Sequence, residues 1–396
     1  MTVPSLDLKA QHLALEAELT AAFRRVLHSG QYILGREVEA LEQQLADYLD
    51  VRHAIAVSSG TDALLLALMA LEIGPGDEVI CPAFTFFATA GCIARVGATP
   101  VFADSCPICF NLNSSDAATR VTSKTKAVIP VHLFGQPSAM DSVADLAQHH
   151  GLAIIEDAAQ AFGAKYKGRF AGTIGTFGAF SFFPSKNLGC LGDGGLLVTN
   201  NSDLAERAQL LRNHGAKPKY FHKYIGGNFR MDALQAALLQ AKLPYLDSYI
   251  EARRNHAAYY TDRLGKLARV AVARVEDCFC NGKAASNAQV PGDTLAWLPA
   301  ALPQNRHIWN QYTLRITQAK GRNKLKDFLT SRSIGSEIYY PIPLHRQECF
   351  AAMAREACLP VAEQLAAESL SIPIFPEMTS TQQNTVISAI GEFMRN

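Results

Sequence analysis

The stretch AIAVSSGTDALLLALMAL, residues 54–71, passes from a short apolar run through a turn of small polar residues into a longer apolar segment. The run at residues 54–57 is apolar at every position, which is typical of a strand buried on both faces of a parallel sheet. Ser59 and Gly60 lie in the turn, and residues 63–71 are mostly strong helix formers. The stretch therefore predicts the strand–turn–helix unit from which α/β domains are built.

The same unit recurs further along the chain. Four more short runs, each apolar on both faces, lie at residues 78–81, 99–102, 127–131 and 152–155. Helical spacing marks the segments between and before the runs, at residues 13–27, 38–49, 88–96 and 142–149. This alternation predicts an α/β domain with a mostly parallel sheet flanked by helices.

The pattern changes after residue 245. A long charged segment with helical spacing occupies residues 247–267, and an irregular stretch rich in Gly, Pro, Ser and Asn follows at 274–305. A strand-like run at Tyr312–Ile316, a helix-like segment at 324–331 and a final helix after Thr381 complete the chain. We therefore predict a large domain over residues 1–245, including the N-terminal helices, and a smaller C-terminal α+β domain over residues 246–396.

Composition narrows the class of function. The chain has 396 residues and a formal net charge of +1, and its basic residues form no stripe, which argues against a nucleic-acid partner and favours small-molecule chemistry. The start of the chain lacks a signal-peptide pattern, and the apolar run at 63–71 is far shorter than the roughly 20 residues of a membrane span. Nine cysteines at irregular spacing are typical of reduced thiols, so we expect a cytoplasmic protein with no membrane role.

Two cysteine pairs raise the question of a metal. Cys106 and Cys109 are separated by two residues, and Cys278 and Cys280 by one. A structural zinc site normally takes four ligands at recurring spacings, whereas these pairs differ in spacing and lie far apart in the chain. We therefore expect no metal site.

Lys186 is the first candidate for chemistry. It lies in the apolar and aromatic run SFFPSKNLG, residues 181–189, and the glycine-dense sequence GDGG follows at 192–195. An isolated lysine usually lies at the surface with its ammonium group in water. Burial, however, lowers the pKa of a lysine and makes its amine a nucleophile towards an aldehyde. The second interpretation depends on what else the chain offers.

Three other features would complete one ligand site with this lysine. Asp157 ends the apolar run at 154–157; it could cap the next helix, but it could also hold a pyridine cofactor in its electron-withdrawing pyridinium form. The turn at Ser59–Thr61 offers backbone amides and a glycine for a phosphate, although such turns are also common helix caps. The aromatic run at Phe84–Phe87 could stack on a flat ring, although aromatic residues are more often core.

Six motifs carry a resemblance over the chain. They are SSGT (58–61), PAFTF (82–86), HLFG (132–135), EDAAQ (156–160), SFFPSK (181–186) and GGNFRMD (226–232). In this order they resemble the nucleotide-sugar aminotransferases of the DegT/DnrJ/StrS type, and the resemblance extends from residues 4–7 to 372–376. It implies an α/β, fold-type I transferase that uses pyridoxal 5'-phosphate and works as a homodimer with active sites at the subunit interface.

The resemblance also implies a role for each matching residue at the cofactor ring. Lys186 would carry the cofactor as a Schiff base, and Asp157 would pair with its pyridinium nitrogen. Gln160 would bind the ring hydroxyl. The stacked ring would be Phe86, at a position where some relatives have tryptophan or tyrosine.

The resemblance also implies which residues of each subunit would bind the phosphate group of the cofactor. Gly60, Thr61 and Ser181 would hold the phosphate within one subunit. Asn228 would reach it from the neighbouring subunit.

The implied reaction is a transamination in two halves. L-glutamate would give its amino group to the cofactor, and a UDP- or dTDP-linked keto sugar would receive it, with Lys186 moving the proton. The last segments resemble enzymes that aminate C3 of the sugar, and the amino sugar would serve cell-surface polysaccharide or glycoconjugate biosynthesis. Two alternatives remain: a pyridoxal-phosphate-dependent sugar dehydratase, although the dehydratase branch has histidine where this chain keeps Lys186, and a regulatory or binding protein that has lost the reaction.

The substrate side rests on three segments that match the family near its nucleotide-sugar pocket. Their candidate residues are Arg212, His214, Trp309, Tyr312, Tyr339 and His345. Arginine suits phosphate oxygens, aromatic rings suit stacking and histidine suits hydroxyl groups. Trp309 and Tyr339 could equally pack between domains. His132 is interpreted as structural.

Overall fold

Strands form three sheets in the computed structural model, which describes residues 2–278, 293–354 and 357–395. In chain order the strands are β1 (His53–Val57), β2 (Glu78–Pro82), β3 (Thr99–Ala103), β4 (Thr125–Val128), β5 (Ala153–Asp157), β6 (Lys165–Tyr166), β7 (Arg169–Phe170), β8 (Phe177–Ser181), β9 (Gly195–Thr199), β10 (Val270–Val272), β11 (Ala296–Leu298), β12 (Asn305–Arg306), β13 (Tyr312–Ile316) and β14 (Ser369–Ile372). The sheet with seven strands has the order β1-β9-β8-β5-β4-β2-β3.

One strand of this large sheet runs against the rest. β9 pairs antiparallel with both β1 and β8, whereas the pairs β8–β5, β5–β4, β4–β2 and β2–β3 are parallel. The predicted α/β class with a mostly parallel, mixed sheet is confirmed. The first five predicted strands are all present, with ends within three residues of the apolar runs that predicted them.

Helices cover both faces of the large sheet and the second, smaller sheet. They are α1 (Leu8–Ala14), α2 (Glu16–Ser29), α3 (Arg36–Leu49), α4 (Gly60–Ala70), α5 (Ala88–Arg95), α6 (Ser114–Thr119), α7 (Met140–His150), α8 (Ser202–Arg212), α9 (Ala233–Lys242), α10 (Leu246–Leu264), α11 (Arg322–Ser331), α12 (Pro360–Glu368) and α13 (Ser380–Arg395). The helix predicted at 13–27 is interrupted at Leu15, a buried residue that separates α1 from α2.

The alternation of side chains along the strands explains the two cores of the large sheet. Ile55 and Val57 of β1 pack in one core with α4 and α5, whereas Ala54 and Ala56 pack in the other with α2, α3 and α9. Successive side chains of a strand point to opposite faces, so a strand between two helical layers is apolar throughout. This is the physical reason for the continuous apolar runs in the sequence.

The second part of the chain has its own sheet and core. β10, β11, β13 and β14 form a four-stranded sheet, and α10, α11 and α13 supply most of the helical residues of its core. Two observations cross the predicted division at residue 245. Leu246 of α10 packs in the core of the large sheet that contains Ala54 and Ala56, whereas Leu264 of the same helix packs in the core of the four-stranded sheet. Val3, from the start of the chain, also belongs to the core of the four-stranded sheet. The exact domain boundary remains a prediction.

Residues at the ends of three strands meet around one space at the carboxyl edge of the large sheet. Asp157 ends β5, Ser181 ends β8, and Gly60 begins α4 directly after β1. Ligands bind at this edge in open α/β sheets. Across the described ranges, no helix combines the length and apolar character needed to cross a membrane.

Candidate active site

A cavity of about 440 Å³ opens at this edge, within the range of small-molecule sites. It brings together seven of the predicted site residues from separate parts of the chain. They are Gly60, Thr61, Phe86, Asp157, Gln160, Ser181 and Lys186, and Tyr339 of the substrate set joins them. The structure therefore places the predicted cofactor residues of one subunit around one space, with Asn228 outside it.

Lys186 lies in the loop between β8 and β9 and lines the cavity. Desolvation lowers the pKa of its amine to about 8, and the attraction of Asp157 partly opposes this shift. A useful fraction of the side chain is therefore unprotonated near neutral pH, as a nucleophilic amine requires.

A second lysine shows that burial alone does not select the reactive amine. Lys242, at the end of α9, is 1% exposed, and desolvation lowers its pKa to about 8 as well. Its Nζ donates a hydrogen bond of 2.7 Å to the carbonyl oxygen of Gly189, and it does not line the cavity. Position, rather than pKa, distinguishes Lys186.

Asp157 is buried at the end of β5, and both of its carboxylate oxygens accept hydrogen bonds. Thr89 Oγ1 donates to Oδ2 at 2.7 Å, and the Ala159 amide donates to Oδ1 at 3.2 Å. Desolvation raises the pKa of Asp157, whereas these two hydrogen bonds and the positive charge of Lys186 favour the ionised form. A cation placed beside this buried carboxylate would therefore be stabilised strongly.

The neighbouring buried pair, His132 and Glu156, holds the loop after β4 against β5. His132 Nδ1 accepts a hydrogen bond of 3.0 Å from the Ser138 amide, so its Nε2 carries the hydrogen and donates to Glu156 at 2.8 Å. Both side chains are completely buried. The interpretation of His132 as structural agrees with this arrangement.

The start of α4 and the end of β8 form a cradle in which they approach so closely that position 60 has no room for a side chain. A Cβ atom on Gly60 would lie only 2.7 Å from Ser181 Cβ, so only glycine fits here. Ser59 caps the helix by accepting a hydrogen bond of 3.0 Å from the Asp62 amide. Free amide groups at a helix start bind anions, and the hydroxyl groups of Thr61 and Ser181 lie beside them.

Gln160 connects the cavity to two other elements. Its Oε1 accepts a hydrogen bond of 2.7 Å from the Phe134 amide, and its Nε2 donates one of 3.0 Å to the Tyr340 hydroxyl. Tyr340 also contacts Phe86, with 6.1 Å between ring centroids. Phe86 is 55% exposed and lines the cavity, so its ring is available to a ligand, as its predicted stacking role requires.

Asn228 does not reach the cavity of its own chain. It is exposed and lies in the segment between α8 and α9, where it pairs with Asn213 in an isolated bridge. Its position is compatible with the predicted action on a neighbouring subunit, and that action remains a prediction.

Three of the six substrate candidates make their contacts away from the cavity of this chain, and their action on substrate stays a prediction. Arg212 Nη1 donates to the Ala56 carbonyl oxygen at 3.0 Å and pairs with Glu42. Tyr312 is fully buried with its hydroxyl 2.8 Å from Thr261 Oγ1. Trp309 stacks on His307, 3.8 Å between centroids, in the core of the second sheet.

His345 also lies away from the cavity, and its role towards substrate stays a prediction. It is 3% exposed, its Nε2 lies 3.1 Å from Glu363, and burial lowers its pKa although Glu363 opposes the shift. His214 is exposed on the surface and is not among the cavity residues. Tyr339 alone of the six lines the cavity.

Several cavity residues were not singled out from the sequence. Thr85, Ser185, Gln311 and Tyr340 line the cavity, and Thr89 bonds to Asp157 behind it. Gln311 and Tyr340 lie inside two of the family segments, so their motifs were a usable signal. Thr89 had no such signal.

The structure also corrects the reason for dismissing a metal site. Cys106, Cys109 and Cys278 are far apart in the chain, but their sulfur atoms lie within 4.8 Å of one another, and all three residues are buried. Cys280, the other half of the second pair, lies outside the described residues.

The cavity fits a flat aromatic aldehyde that carries a phosphate. A nucleophilic amine faces it, a buried acid can hold a ring nitrogen cationic, and a helix start offers amides to an anion. Together with the seven-stranded sheet, these features define a fold-type I transferase dependent on pyridoxal 5'-phosphate.

The chain belongs to the DegT/DnrJ/EryC1/StrS aminotransferase family, which it matches over residues 14–391. The protein is an aminotransferase, and its cofactor is pyridoxal 5'-phosphate. The family resemblance and the enzyme class expected from the sequence are both confirmed.

Curated relatives align over nearly the whole chain. It is 46% identical to the pleiotropic regulatory protein of Geobacillus stearothermophilus, covering 100% of both chains. It is 41% identical to the UDP-N-acetyl-3-dehydro-alpha-D-glucosamine 3-aminotransferase of Acidithiobacillus ferrooxidans, with 98% and 97% covered. It is 42% identical to the dTDP-3-amino-3,4,6-trideoxy-alpha-D-glucose transaminase of Streptomyces venezuelae, with 99% and 96% covered.

A solved structure shares the fold in detail. The structure of DesV from S. venezuelae in complex with a ketimine intermediate superimposes with a TM-score of 0.89 at 41% identity, and the match covers 100% of this chain and 99% of that one.

Proposed function

We propose that this aminotransferase places an amino group on C3 of a UDP- or dTDP-linked keto hexose, with L-glutamate as the donor. The observation that carries the proposal is the amine of Lys186 facing a cavity that also contains Asp157 and the start of α4. Relatives of both nucleotide types, each named for an amino group at C3, support the substrate class. The product would serve cell-surface polysaccharide or glycoconjugate biosynthesis.

The residues of this chain divide the work around the cofactor. When bound, pyridoxal 5'-phosphate supplies an aldehyde that accepts amino groups and a ring that withdraws electrons from the substrate carbon. Asp157 would keep a proton on the ring nitrogen, and Thr89 holds its carboxylate in place by a hydrogen bond of 2.7 Å. Gln160 would bind the ring hydroxyl, and Phe86 would stack on the ring.

Lys186 has two tasks that both need its lowered pKa. As a free amine Lys186 would be able to react with an aldehyde, and once released it would be able to move a proton at the substrate carbon. Gly60, Thr61 and Ser181 would hold the phosphate group.

We also propose a cytoplasmic homodimer with shared active sites. The exposed segment that contains Asn228 carries three large apolar residues, Tyr220, Phe221 and Ile225, which are 78%, 70% and 93% exposed. Such a cluster on a surface is typical of an interface with another chain. Nine cysteines at irregular spacing favour a reducing compartment.

A regulatory role is the second candidate, because the Geobacillus relative is named as a pleiotropic regulatory protein. The presence of Lys186 and Asp157 in one cavity supports the enzyme instead, since a protein that only binds its ligand has no need of a reactive amine.

One assay tests the proposal. Protein loaded with cofactor is given ¹⁵N-labelled L-glutamate and a panel of UDP- and dTDP-linked keto sugars, and the products are weighed by mass spectrometry. We expect labelled nitrogen in a 3-amino sugar from at least one substrate. A product that has only lost water would support a dehydratase, and an unchanged panel together with an unchanged cofactor spectrum would support the regulatory role.

A further inference from the structure

Three thiols converge in a small core at the junction between the large sheet and the second part of the chain. Cys106 and Cys109 lie in the loop after β3, and Cys278 follows the short helical turn at Val275–Asp277. The Sγ atoms of Cys106 and Cys278 are 3.6 Å apart, and all three Sγ atoms lie within 4.8 Å of one another. Their surroundings are apolar, with Ile108, Ala139, Ala273, Ala300 and Leu302 in the same buried cluster.

The turn that contains Cys106 and Cys109 is shaped to present both thiols on one side. The Phe110 amide donates a hydrogen bond of 2.9 Å to the Cys106 carbonyl oxygen, and the Cys106 amide donates one of 2.8 Å to the Asn111 carbonyl oxygen. Phe110 has a φ of 66°, a left-handed conformation that is unfavourable for a bulky side chain. The chain accepts this strain at the residue that closes the turn.

We propose that Cys106, Cys109 and Cys278 bind a single zinc ion as thiolates. A zinc–sulfur bond of about 2.3 Å in tetrahedral geometry places neighbouring sulfur atoms about 3.8 Å apart, and the closest observed pair is at 3.6 Å. Soft thiolate ligands select zinc over magnesium or calcium. Three thiolates leave one tetrahedral position for a further donor.

Three thiolates around one divalent cation carry a net negative charge. Arg315 Nη1 donates a hydrogen bond of 2.9 Å to the carbonyl oxygen of Pro107, one of the two residues between the cysteines of the turn, while its guanidinium group also forms an ion pair of 2.9 Å with Glu368. An iron–sulfur cluster fits less well, because several iron atoms would hold the thiols further apart than this group allows.

A disulfide is the main competing use of these thiols. It would join two of them at about 2.05 Å and leave the third in the same apolar contact. One metal ion binds all three thiolates, whereas a disulfide involves only two of the thiols. The convergence of three thiols therefore favours the metal.

The ion would connect distant parts of the chain. Cys106 and Cys278 are 172 positions apart, and a bond through the metal would tie the loop after β3 to the second part. The same loop supports the active site, because Asn111 accepts a hydrogen bond of 3.0 Å from the Leu133 amide and Phe110 packs on Phe134. The Phe134 amide in turn bonds to Gln160. We therefore assign the ion a structural role.

Metal content tests the proposal without any measurement of activity. Tag-free wild-type protein, purified without chelator, should contain about one zinc per chain by plasma mass spectrometry. Replacement by Co²⁺ should give the visible bands of a tetrahedral ion and a thiolate-to-cobalt charge-transfer band. Cys106→Ser and Cys278→Ser should lose most of the zinc, whereas Cys81→Ala, at a buried cysteine in the sheet core, should keep it.

A wild-type experiment covers the case in which the serine variants fail to fold. Titration with a mercurial that blocks thiols should release zinc in proportion to the number of thiols blocked. A chelator that changes colour when it binds zinc detects the release. The proposal is overturned if wild-type protein takes up neither zinc nor cobalt with a thiolate signature. Peptide mapping that finds a disulfide between two of the three cysteines, or zinc retained in full by folded Cys278→Ser, would overturn it too.

Discussion

The hydroxyl group of Thr89 donates a hydrogen bond of 2.7 Å to Oδ2 of Asp157, and both residues are buried, Asp157 at the wall of the cavity. Thr89 is in α5, one turn after Thr85, whose hydroxyl lies 3.2 Å from its own. Two threonines thus form a short chain of hydrogen bonds that ends on the carboxylate. Since burial raises the pKa of Asp157, this bond is one of the few interactions that keep the acid ionised.

Replacement of Thr89 should therefore weaken the acid. A hydrogen bond to a charged group contributes roughly 1.5–3 kcal/mol, so Thr89→Val should slow the half-reaction with glutamate by about tenfold or more. The pKa of Asp157 should rise, and the acid limb of the pH profile should shift upward. Stopped-flow absorbance of the cofactor measures both. Thr89→Ser, which keeps the hydroxyl, should recover most of the rate, and an unchanged pH profile in Thr89→Val would contradict the role.

Borohydride reduction should distinguish the two buried lysines. Reduction in the presence of pyridoxal 5'-phosphate should attach the cofactor to Lys186 and leave Lys242 unmodified, although desolvation lowers the pKa of both to about 8. Lys186→Ala should lower turnover by about 10³-fold or more, because it removes the nucleophile and the proton carrier together. Peptide mapping by mass spectrometry identifies the lysine that carries the adduct. An adduct at Lys242, or none at all in wild-type protein, would disprove the assignment.

The capture of cofactor by the apoenzyme should depend on pH in a defined direction. The amine of Lys186 is protonated and unreactive below its pKa of about 8, so the rate should rise about tenfold per pH unit up to that value and then level off. The rate of the absorbance change after mixing apoenzyme with cofactor measures this. An inflection at the ordinary lysine value of 10.5 would show that the amine is not desolvated.

Gly60→Ala should damage the phosphate cradle. The added Cβ would lie 2.7 Å from Ser181 Cβ, so α4 and β8 must separate, at a cost of about 1–3 kcal/mol in stability. The dissociation constant for the cofactor should rise by at least about tenfold, as measured by fluorescence titration. Gly74→Ala is the matched control, because its nearest neighbour would be a carbonyl oxygen at 3.7 Å. Equal cofactor affinity in both variants would count against the cradle.

Mixed dimers should show whether Asn228 serves the partner subunit. Lys186→Ala and Asn228→Asp should each be nearly inactive alone. A co-expressed heterodimer would contain one site with both changes and one with neither, so about half of the wild-type activity per dimer should return. If Asn228 acted on its own cavity, every site would carry one change, and no activity would return. Purification with two different tags isolates the heterodimer for the assay.

Local sequence was enough for the first five strands, and the family motifs indicated seven residues that line the cavity. Continuous apolar runs report burial on both faces of a sheet, and Asp157 and Gly60 directly follow such runs. Thr89 and Tyr340 could not be found in this way, because they approach Asp157 and Gln160 from 68 and 180 positions away. β8 and β9 were missed as strands because their residues were interpreted for chemistry.

Several substrate candidates lie outside the cavity of their own chain for a common physical reason. Residue type predicts what a side chain can bind, but not which side of an element it faces. Arg212 points to Glu42, 170 positions away, and not to the cavity. For the same reason, spacing along the chain concealed the approach of Cys278 to Cys106.

The cradle of Gly60 and Ser181 joins the ends of β1 and β8, with β9 between them in the sheet. An anion bound there makes its full set of contacts only when all three strands are folded. Binding of the anion and folding of this part of the sheet therefore stabilise each other. At a cofactor concentration one hundred times the dissociation constant, this linkage amounts to about 2.7 kcal/mol of added stability. A cell that is short of the vitamin would therefore lose this enzyme to proteolysis as well as to inactivity, since the empty chain unfolds more readily.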